Sequence, residues 1–350
     1  MKLYIIPMFI PHYGCQHQCV FCDQRAITGQ NYPVLAEDVA KTIKQHLDAI
    51  DRPYKIEVAF YGGSFTALPS ELQLKLLAPA KEALDRGLIQ AIRLSTRPDA
   101  ISVEIALRLK KNGVQTVELG AQSMDDRVLM AAKRGHSAAA VENAVGILKK
   151  VDIKCGLQLM PGLPKEDWIS LIKTGQRVVE LHPDIVRIYP TVVIKNTPLA
   201  ELFSQGQYKP LTLSAAVSRS AYLKLLFEQH EITVIRTGLQ ATEGLSEPGK
   251  VLAGPYHPAF GEMVEAFLYS LMVSLVIEKT YPIFSQKLTI HHHPKDHSKV
   301  RGISNTNLQS WRAKYGIKEC FFIPDWNRQG ELVIHFNGLT SIVNKTMLFT

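Results

Sequence analysis

Short strand-like runs alternate with amphipathic helical stretches through the first 205 residues of the chain. The runs are KLYIIPMFI, KIEVAFYG, AIRLST, TVELGAQ, IKCGLQLM and IVRIYPTVV, and each precedes sequence in which apolar residues recur at helical spacing. Strands that are apolar on both faces and joined by crossover helices form a parallel sheet. An eight-unit barrel typically takes about 250 residues, so about six units in this stretch predict an incomplete one. The predicted fold class is α/β, a partial parallel (β/α)6 barrel of the TIM type.

The pattern changes beyond residue 240. A helix over 212–229 and the strand-like EITVIRTG extend the barrel, and GLSEPGKVLAGPYHP then reads as a boundary loop because it is rich in proline and glycine. Helices and strand-like runs in the remaining sequence predict a small C-terminal α+β extension. We therefore expect a partial barrel over 1–240 and the extension over 241–350.

Composition limits the cellular setting. The N-terminal MKLYIIPMFIPHYG is broken by Pro7 and Pro11 and lacks a cleavage site, so we predict no signal peptide. No run approaches the roughly 18 to 20 apolar residues that cross a bilayer. Five cysteines, an odd number, do not form a disulfide framework and fit a reducing cytoplasm. The formal charge of +8 favours polyanions such as nucleic acids, although a basic solvated surface explains it equally well.

Three of the five cysteines lie together directly after the first strand. Cys15, Cys19 and Cys22 form CxxxCxxC, a spacing at which three thiolates can converge on one inorganic centre. A zinc ion could take His12 or His17 as its fourth ligand. A [4Fe-4S] cluster would have three thiolates and one iron without a protein ligand. The loop follows a barrel strand at the edge where such folds place their chemistry, which favours the cluster.

With Phe21 before the third cysteine, this motif resembles the signature of the radical S-adenosylmethionine superfamily. The resemblance implies that Cys15, Cys19 and Cys22 hold three irons and that S-adenosylmethionine chelates the fourth. It also implies reductive cleavage of that cofactor to a 5′-deoxyadenosyl radical, which takes hydrogen from the substrate. An electron donor such as flavodoxin or ferredoxin would be a partner.

Other strand ends carry polar or glycine residues that suit a zwitterionic nucleoside ligand. FYGGSFT allows close backbone approach, and LSTRPD offers Ser95 before a helix that Asp99 is predicted to cap. Glu118 and Gln122 share one face of the fourth strand, so both are predicted to point into the barrel mouth. ELGAQS, KRGHS and LQLMPGLP resemble the subgroup containing oxygen-independent coproporphyrinogen oxidase and the catalytic subunit of Elongator. That resemblance implies S-adenosylmethionine contacts from Phe21, Gly62, Gly63, Ser95, Gln122, Arg134 and Gln158.

STRPD, RIYPTVVIKNTPL and GPYHPAFGE look closer to the Elongator branch, whose members modify wobble uridines in tRNA. The cysteine spacing is shorter than in the Elongator subunit, and no residues remain for an acetyltransferase domain. We therefore expect a radical enzyme acting on RNA, as a tRNA base modifier. One alternative keeps the radical chemistry but gives it a small tetrapyrrole-like substrate. Another is a non-catalytic zinc or iron–sulfur protein that binds nucleic acid.

Several further residues are candidates for lesser roles. Tyr189, Tyr256 and His257 are candidate substrate contacts, because they end the sixth strand or lie in the boundary loop. Consecutive strand residues alternate faces, so the histidines of the HHH run cannot all converge on a metal, and we predict a polar surface for His291, His292, His293 and His297. Cys155 and Cys320 are predicted to be small buried apolar residues.

Overall fold

The computed structural model of the chain describes residues 2–10, 18–22, 34–51, 54–239, 247–280, 285–326 and 328–349. The strands before residue 260 are β1 (Lys2–Ile10), β2 (Tyr54–Gly62), β3 (Ala91–Thr96), β4 (Val114–Gln122), β5 (Lys154–Leu159), β6 (Ile185–Ile188), β7 (Val193–Ile194), β8 (Thr233–Thr237) and β9 (Val251–Ala253). Seven of them form one sheet in the order β1, β2, β3, β4, β5, β6 and β8, with every pair parallel. The predicted partial barrel is confirmed, and EITVIRTG supplies its seventh strand.

Helices cross over between these strands. They are α1 (Ala36–Ala49), α2 (Ser70–Asp85), α3 (Val103–Lys111), α4 (Asp126–Ala131), α5 (Ala138–Lys150), α6 (Trp168–Leu181), α7 (Pro198–Ser204) and α8 (Leu213–Gln229). The predicted cap at Asp99 is wrong. Helix α3 begins later, and the Ser102 hydroxyl accepts a hydrogen bond from Ile105 N at 3.2 Å as its N-cap. Asp99 instead pairs with Arg97.

The main core lies between the sheet and its crossover helices. Strand residues such as Val58, Ile92 and Val117 are completely buried, together with helix residues such as Val39 and Leu109. Each such side chain contributes about 1.5 to 3 kcal/mol relative to an exposed one. Cys155 belongs to this core, as predicted, and burial raises the pKa of its thiol to about 12. The sheet is thus rigid enough to hold functional groups at its strand ends.

The C-terminal region forms a second sheet on a long helix. Its elements are α9 (Phe260–Lys279), β10 (Lys287–His292), α10 (His297–Arg301), α11 (Thr306–Tyr315), β11 (Glu319–Pro324), β12 (Glu331–Phe336) and β13 (Leu339–Asn344). The strand order is β11, β10, β12, β13, with β10 and β11 parallel and the other pairs antiparallel. The predicted α+β extension is confirmed. Its boundary near residue 240 stays a prediction, since residues 240–246 lie outside the described ranges.

Helix α9 is long and apolar enough to cross a membrane by length and composition, with mean hydropathy 1.6, contrary to the expectation that no run would be. Half of that window is buried inside the molecule. Tyr269, Met272 and Val273 pack against the C-terminal sheet, whereas Phe260 and Val264 pack with residues of α8. A helix at the centre of a core has the same composition, so these features are weak grounds for a membrane span.

Candidate active site

A cavity of about 590 Å³ opens at the carboxyl ends of the parallel strands. Its lining includes nine of the residues predicted from the sequence, namely Phe21, Cys22, Gly62, Gly63, Ser95, Gln122, Arg134, Gln158 and Tyr189. Pockets of this volume hold ligands of nucleotide size. The strand ends therefore bring together residues that are up to 168 positions apart in the chain.

The described part of the cysteine loop is fixed by backbone hydrogen bonds. Val20 N donates to Ala132 O at 3.1 Å, and Leu199 N donates to Val20 O at 2.8 Å. Cys19 is buried, Cys22 lines the cavity, and Cys22 N donates to Cys19 O at 3.2 Å. Cys15, and the alternative zinc ligands His12 and His17, lie outside the described residues. Within those ranges, no group of three ligating side chains could hold a metal ion.

Arg134 joins the cysteine loop to the fourth strand. Its Nη1 donates to Cys19 Sγ at 3.0 Å, its Nη2 donates to Gly120 O, and its guanidinium carbon lies 5.9 Å from the centre of the Phe21 ring. A Cβ at Gly120 would come within 3.1 Å of Arg134 Nη2 and 2.8 Å of Gln122 Nε2. The glycine therefore leaves room for both side chains at the cavity wall.

The neutral imidazole of His136 orients the side chain of Arg134. Its Nε2 accepts from Arg134 Nε at 3.3 Å, which requires a deprotonated ring nitrogen. Burial, and then the charge of Arg134, lowers the pKa of His136 to about 4. The imidazole is thus neutral in the folded chain at physiological pH.

Acid is expected to destabilise the wild-type chain partly through His136. The unfolded histidine binds a proton below about pH 6.5, whereas the folded one binds it only near pH 4. The contribution of His136 is thus complete above the unfolded pKa and is lost progressively as pH falls from 6.5 to 4. Denaturant unfolding of cofactor-free protein at pH 7 and pH 5 should show a smaller acid loss for His136→Asn than for wild type. The exposed His230→Asn should behave as wild type, and equal losses in all three would contradict this role.

Two glutamines meet across neighbouring strands at the cavity wall. Gln158 Nε2 donates to Gln122 Oε1 at 3.3 Å. The pairing of β4 with β5 is interrupted between Leu119 and Gln122, and Gln122 has a φ of 68°. Such a backbone costs on the order of 1 to 3 kcal/mol and is found mainly where function requires it. The bulge aims the Gln122 side chain into the cavity.

The glycine turn after the second strand is bonded into the first and third. Gly62 has a φ of 103°, which favours glycine, and Gly63 N donates to Ile10 O at 3.1 Å. The Ser64 hydroxyl lies 3.0 Å from Thr96 Oγ1 and accepts from Arg97 N at 3.2 Å. These hydrogen bonds fix the glycine turn, whose main-chain groups line one edge of the cavity.

Arg97 keeps one nitrogen for a ligand. The guanidinium donates to Asp99 through Nε at 2.9 Å and through Nη2 at 2.9 Å, and also to Arg134 O. Its Nη1 is buried and has no hydrogen-bond partner among the described residues, yet the residue lines the cavity. An unpaired buried donor costs about 1 to 3 kcal/mol or more if charged, so a ligand acceptor there would be stabilising.

A buried charge network lies in the barrel wall, and its Glu118, Arg187 and Tyr189 also line the cavity. Glu118 accepts from Arg93 Nη1 at 3.3 Å and from Arg187 Nη2 at 3.1 Å, and Arg93 Nε also donates to Glu57 at 2.8 Å. Arg187 donates to the hydroxyls of Tyr61 and Tyr189, each at 3.1 Å. Glu118 thus faces the barrel interior as predicted, but arginines of the chain satisfy its carboxylate. Burial, and then the charge of Glu118, raises the pKa of Tyr61 to about 12.

Sequence reasoning missed three members of this network, Glu57, Arg93 and Arg187. Arg93 and Arg187 are lone charged residues in apolar parallel strands, the same signal that identified Glu118 and Gln158, and Glu57 shares its strand with Lys55. Arg236, at the end of β8, also lines the cavity and was not predicted. Among the described residues it makes no ion pair, and its Nε donates to Gly238 O at 3.3 Å. Arg236 therefore adds a cation to the cavity lining.

The loop after the fifth strand is held by a buried ion pair. Gly162 N and Arg219 Nη1 both donate to Glu166 Oε1 at 2.7 Å, and the Tyr208 hydroxyl donates to Gly162 O at 2.6 Å. Burial raises the pKa of Glu166 to about 7, although both donors favour the ionised carboxylate. Gln158 and Met160, which line the cavity, lie on the segment that this pair anchors.

The three candidate substrate contacts are placed differently. Tyr189 lines the cavity and bonds Arg187. Tyr256 packs against Val192 and Ile194, two lining residues, and is not itself part of the lining. His257 Nδ1 accepts from Ala259 N at 3.0 Å in the turn before α9. Of the three, only Tyr189 reaches the cavity directly, and substrate contact by any of them stays a prediction.

The histidine run is only partly at the surface. His291 is half-buried, but His292 is fully buried and His293 nearly so, which makes the surface prediction wrong for those two. His292 lies on the inner face of β10, where it bonds His297 at 3.1 Å and His293 O at 2.9 Å. Cys320 is half-buried rather than fully buried.

The residues at the strand ends fit the two groups that the sequence implies. Cys19 and Cys22 supply thiol sulfurs, the ligand type of iron–sulfur clusters. The glycine turn, the glutamine pair and Arg97 Nη1 offer hydrogen-bonding groups to a ligand that carries amino, carboxylate and ribose functions. The volume of about 590 Å³ admits such a ligand.

Comparisons with known proteins place this geometry in context. The family description "Radical SAM superfamily" matches residues 9–178, and "Radical_SAM C-terminal domain" matches residues 183–270. A tRNA uridine(34) acetyltransferase of Methanocaldococcus jannaschii is 30% identical over 201 residues, covering 51% of this chain and 37% of that protein. Elongator complex protein 3 of Danio rerio is 28% identical over 226 residues, covering 58% of this chain and 40% of that protein. The chain thus spans about two fifths of the length of these two relatives.

Among solved structures, the archaeal Methanocaldococcus infernus Elp3 with an N-terminal deletion is similar with a TM-score of 0.59 and 22% identity. The match covers 97% of this chain and 76% of that one. At this identity the likeness supports the fold of the chain, including its C-terminal extension.

Proposed function

Because the chain belongs to the radical S-adenosylmethionine superfamily, we propose that it is a radical enzyme that modifies a base in RNA, with a tRNA as substrate. Members of this superfamily use a [4Fe-4S] cluster and S-adenosylmethionine, which are therefore the cofactors of this enzyme. When bound, these groups would supply reductive cleavage of the C5′–S bond of S-adenosylmethionine, with one electron from the cluster, to give methionine and a radical able to take a hydrogen atom from the substrate.

The chain's own residues bind and orient these groups in the proposal. Cys15, Cys19 and Cys22 hold the cluster, and Arg134 steadies the sulfur of Cys19 through its 3.0 Å hydrogen bond. Phe21, Gly62, Gly63, Ser95, Gln122, Arg134 and Gln158 contact S-adenosylmethionine. The buried walls exclude water, which would otherwise compete for a reactive radical.

One observation carries the proposal. The cavity lining combines the cysteine loop, the glycine turn and the glutamine pair with Tyr189 and Arg236. The cysteine loop, the glycine turn and the glutamine pair suit a zwitterionic cofactor, and Arg236, which makes no ion pair among the described residues, suits an anionic substrate such as RNA. A non-catalytic binding protein has no need of a deep cavity lined by polar groups from successive strands.

The choice of RNA is supported by two further features. The formal charge of +8 favours a polyanion. The similar proteins of M. jannaschii and D. rerio carry names that refer to tRNA uridine(34) acetylation and to the Elongator complex. We propose that the reaction catalysed by the radical domain is modification of a base. We place the enzyme in the cytoplasm, reduced by a flavodoxin or ferredoxin.

The proposal is tested by nucleoside mass spectrometry of RNA from cells that lack the gene. We expect one modified nucleoside to disappear from tRNA, to return with the wild-type gene and to stay absent with a Gln122→Ala gene. Anaerobically reconstituted, reduced protein should form 5′-deoxyadenosine from S-adenosylmethionine. If the nucleosides are unchanged and small metabolites are altered, the substrate is a small anionic molecule and not RNA. Absence of 5′-deoxyadenosine would overturn the radical chemistry itself.

A further inference from the structure

The C-terminal sheet has one covered face and one open face. Leu288, Ile290, Leu332 and Ile334 are fully buried and pack with residues of α9. Because strand side chains alternate, the intervening residues point the other way. The register places Thr289 between Phe321 and His335, and His291 between Ile323 and Val333. We call this side, formed by Lys287, His291, Phe321, Ile323, His335 and Ile342, the outer face.

The outer face exposes rings and apolar side chains. Phe321 is 45% exposed and Ile323 39%, which is unusual for two neighbouring large apolar residues on one strand, and Ile342 on β13 is 49% exposed. The rings of His291 and His335 meet edge-to-face with centres 5.0 Å apart. Lys287 Nζ lies 4.9 Å from the centre of the Phe321 ring. The outer face therefore carries aromatic rings on β10, β11 and β12 and a cation, Lys287, on β10.

The charge of this region is asymmetric with respect to the rest of the chain. Residues 285–349 carry nine Lys and Arg against four Asp and Glu, a net formal charge of +5; of these cations, Lys314 and Lys345 pair with Glu278 and Glu265 of α9. Two of the four carboxylates, on Glu319 and Glu331, lie at the starts of their strands, and Glu331 accepts from Arg328. Glu319 is paired with Lys287 on the outer face, two residues before Phe321, whereas the register pairs no carboxylate with His291 or His335.

We propose that the outer face binds unpaired bases of RNA, as a second contact surface away from the cavity. Sheets recognise single-stranded RNA by stacking bases on exposed rings while cationic side chains meet the phosphates. Phe321 is the stacking platform, and Lys287 lies beside its ring. Thr289 on β10 is paired with Phe321 on one side and with His335 on the other, and His291 lies two residues further along β10. The inference rests on the proposed function, since it concerns how the same RNA substrate is held. The net charge of +5 favours RNA over a neutral protein partner.

The test is a binding titration with the full-length chain and a fluorescently labelled 12-nucleotide oligouridylate, followed by fluorescence anisotropy without reductant. Phe321→Ala should weaken binding by about 5- to 150-fold, the loss of one stacked base. Phe321→Tyr retains the ring and should bind within about twofold of wild type. Leu107→Ala, which removes an equally exposed apolar side chain on α3 (54% exposed), should leave binding unchanged.

The outcomes separate this inference from the proposed function. Equal affinity for wild type and Phe321→Ala would overturn the outer-face site, whether or not the enzyme forms 5′-deoxyadenosine. Weakened self-association of Phe321→Ala in sedimentation, with unchanged RNA affinity, would assign the face to a second copy of the chain and also overturn it. A ring-dependent loss of RNA binding supports the site even if cellular nucleosides are unchanged, a result that would count against the proposed function alone.

Discussion

Alanine at Cys15, Cys19 or Cys22 is expected to abolish 5′-deoxyadenosine formation and to leave the purified chain without its iron. A cluster held by only three thiolates cannot lose one and keep its place, because its fourth iron has no protein ligand to compensate. Cys19 and Cys22 lie in the loop fixed by Val20 and Arg134. Cys15 lies outside the described residues, so its variant tests a ligand that only the spacing assigns.

Cys320→Ala is the matched control. Burial raises the pKa of the Cys320 thiol to about 11, so it is protonated at neutral pH and does not act as a thiolate ligand. Iron, sulfide and 5′-deoxyadenosine should equal those of wild type. Full iron content in the Cys19 variant, or zinc in place of iron in anaerobically purified wild type, would refute the assignment of the cluster to this loop.

The parallel sheet could be predicted because each strand is apolar on both faces, a pattern that only burial between two layers explains. Two local features, the start of α3 and the burial of His292, were predicted wrongly. The start of α3 was missed because Asp99 and Ser102 both have cap-forming side chains, and only the backbone of Ile105 shows which one is used. The depth of His292 was missed because a run of three histidines reads as polar, although alternation along β10 turns one of them inward.

The cavity lining could be predicted largely from the residues at the carboxyl end of each strand, since parallel strands end at the same edge. The pairing of polar groups with one another could not be predicted. Glu118 read as a ligand contact because its arginine partners come from strands 25 and 69 residues away. Pairings over such distances depend on strand order and register, which the sequence pattern does not contain.

The Glu118 network affects the stability of the fold because its charged side chains are buried. The side chains of Glu118 and Arg93 are 6% and 9% exposed, and that of Arg187 is 13% exposed. Two carboxylates and two guanidiniums balance there, but Arg93 has Glu57 as well, whereas Glu118 is the only carboxylate that bonds Arg187 among the described residues. Removing Glu118 therefore leaves a guanidinium with only the hydroxyls of Tyr61 and Tyr189.

We expect Glu118→Ala to lower the free energy of unfolding by about 3 to 5 kcal/mol, the cost of leaving a buried charge without its partner. Urea unfolding of the cofactor-free chain would measure it as a shift in midpoint at unchanged slope. Glu104→Ala removes an 88% exposed carboxylate that lies 3.6 Å from Arg108 and should change stability by no more than about 1 kcal/mol. The double variant Glu118→Ala/Arg187→Met should lose less than the sum of its two single variants, because it buries no unpaired charge. Two results would contradict this role: strict additivity of the two single variants, or an unfolding midpoint of Glu118→Ala equal to that of Glu104→Ala. Either would show that water or a neighbouring group stabilises the charge of Arg187, although the Glu118 side chain is only 6% exposed.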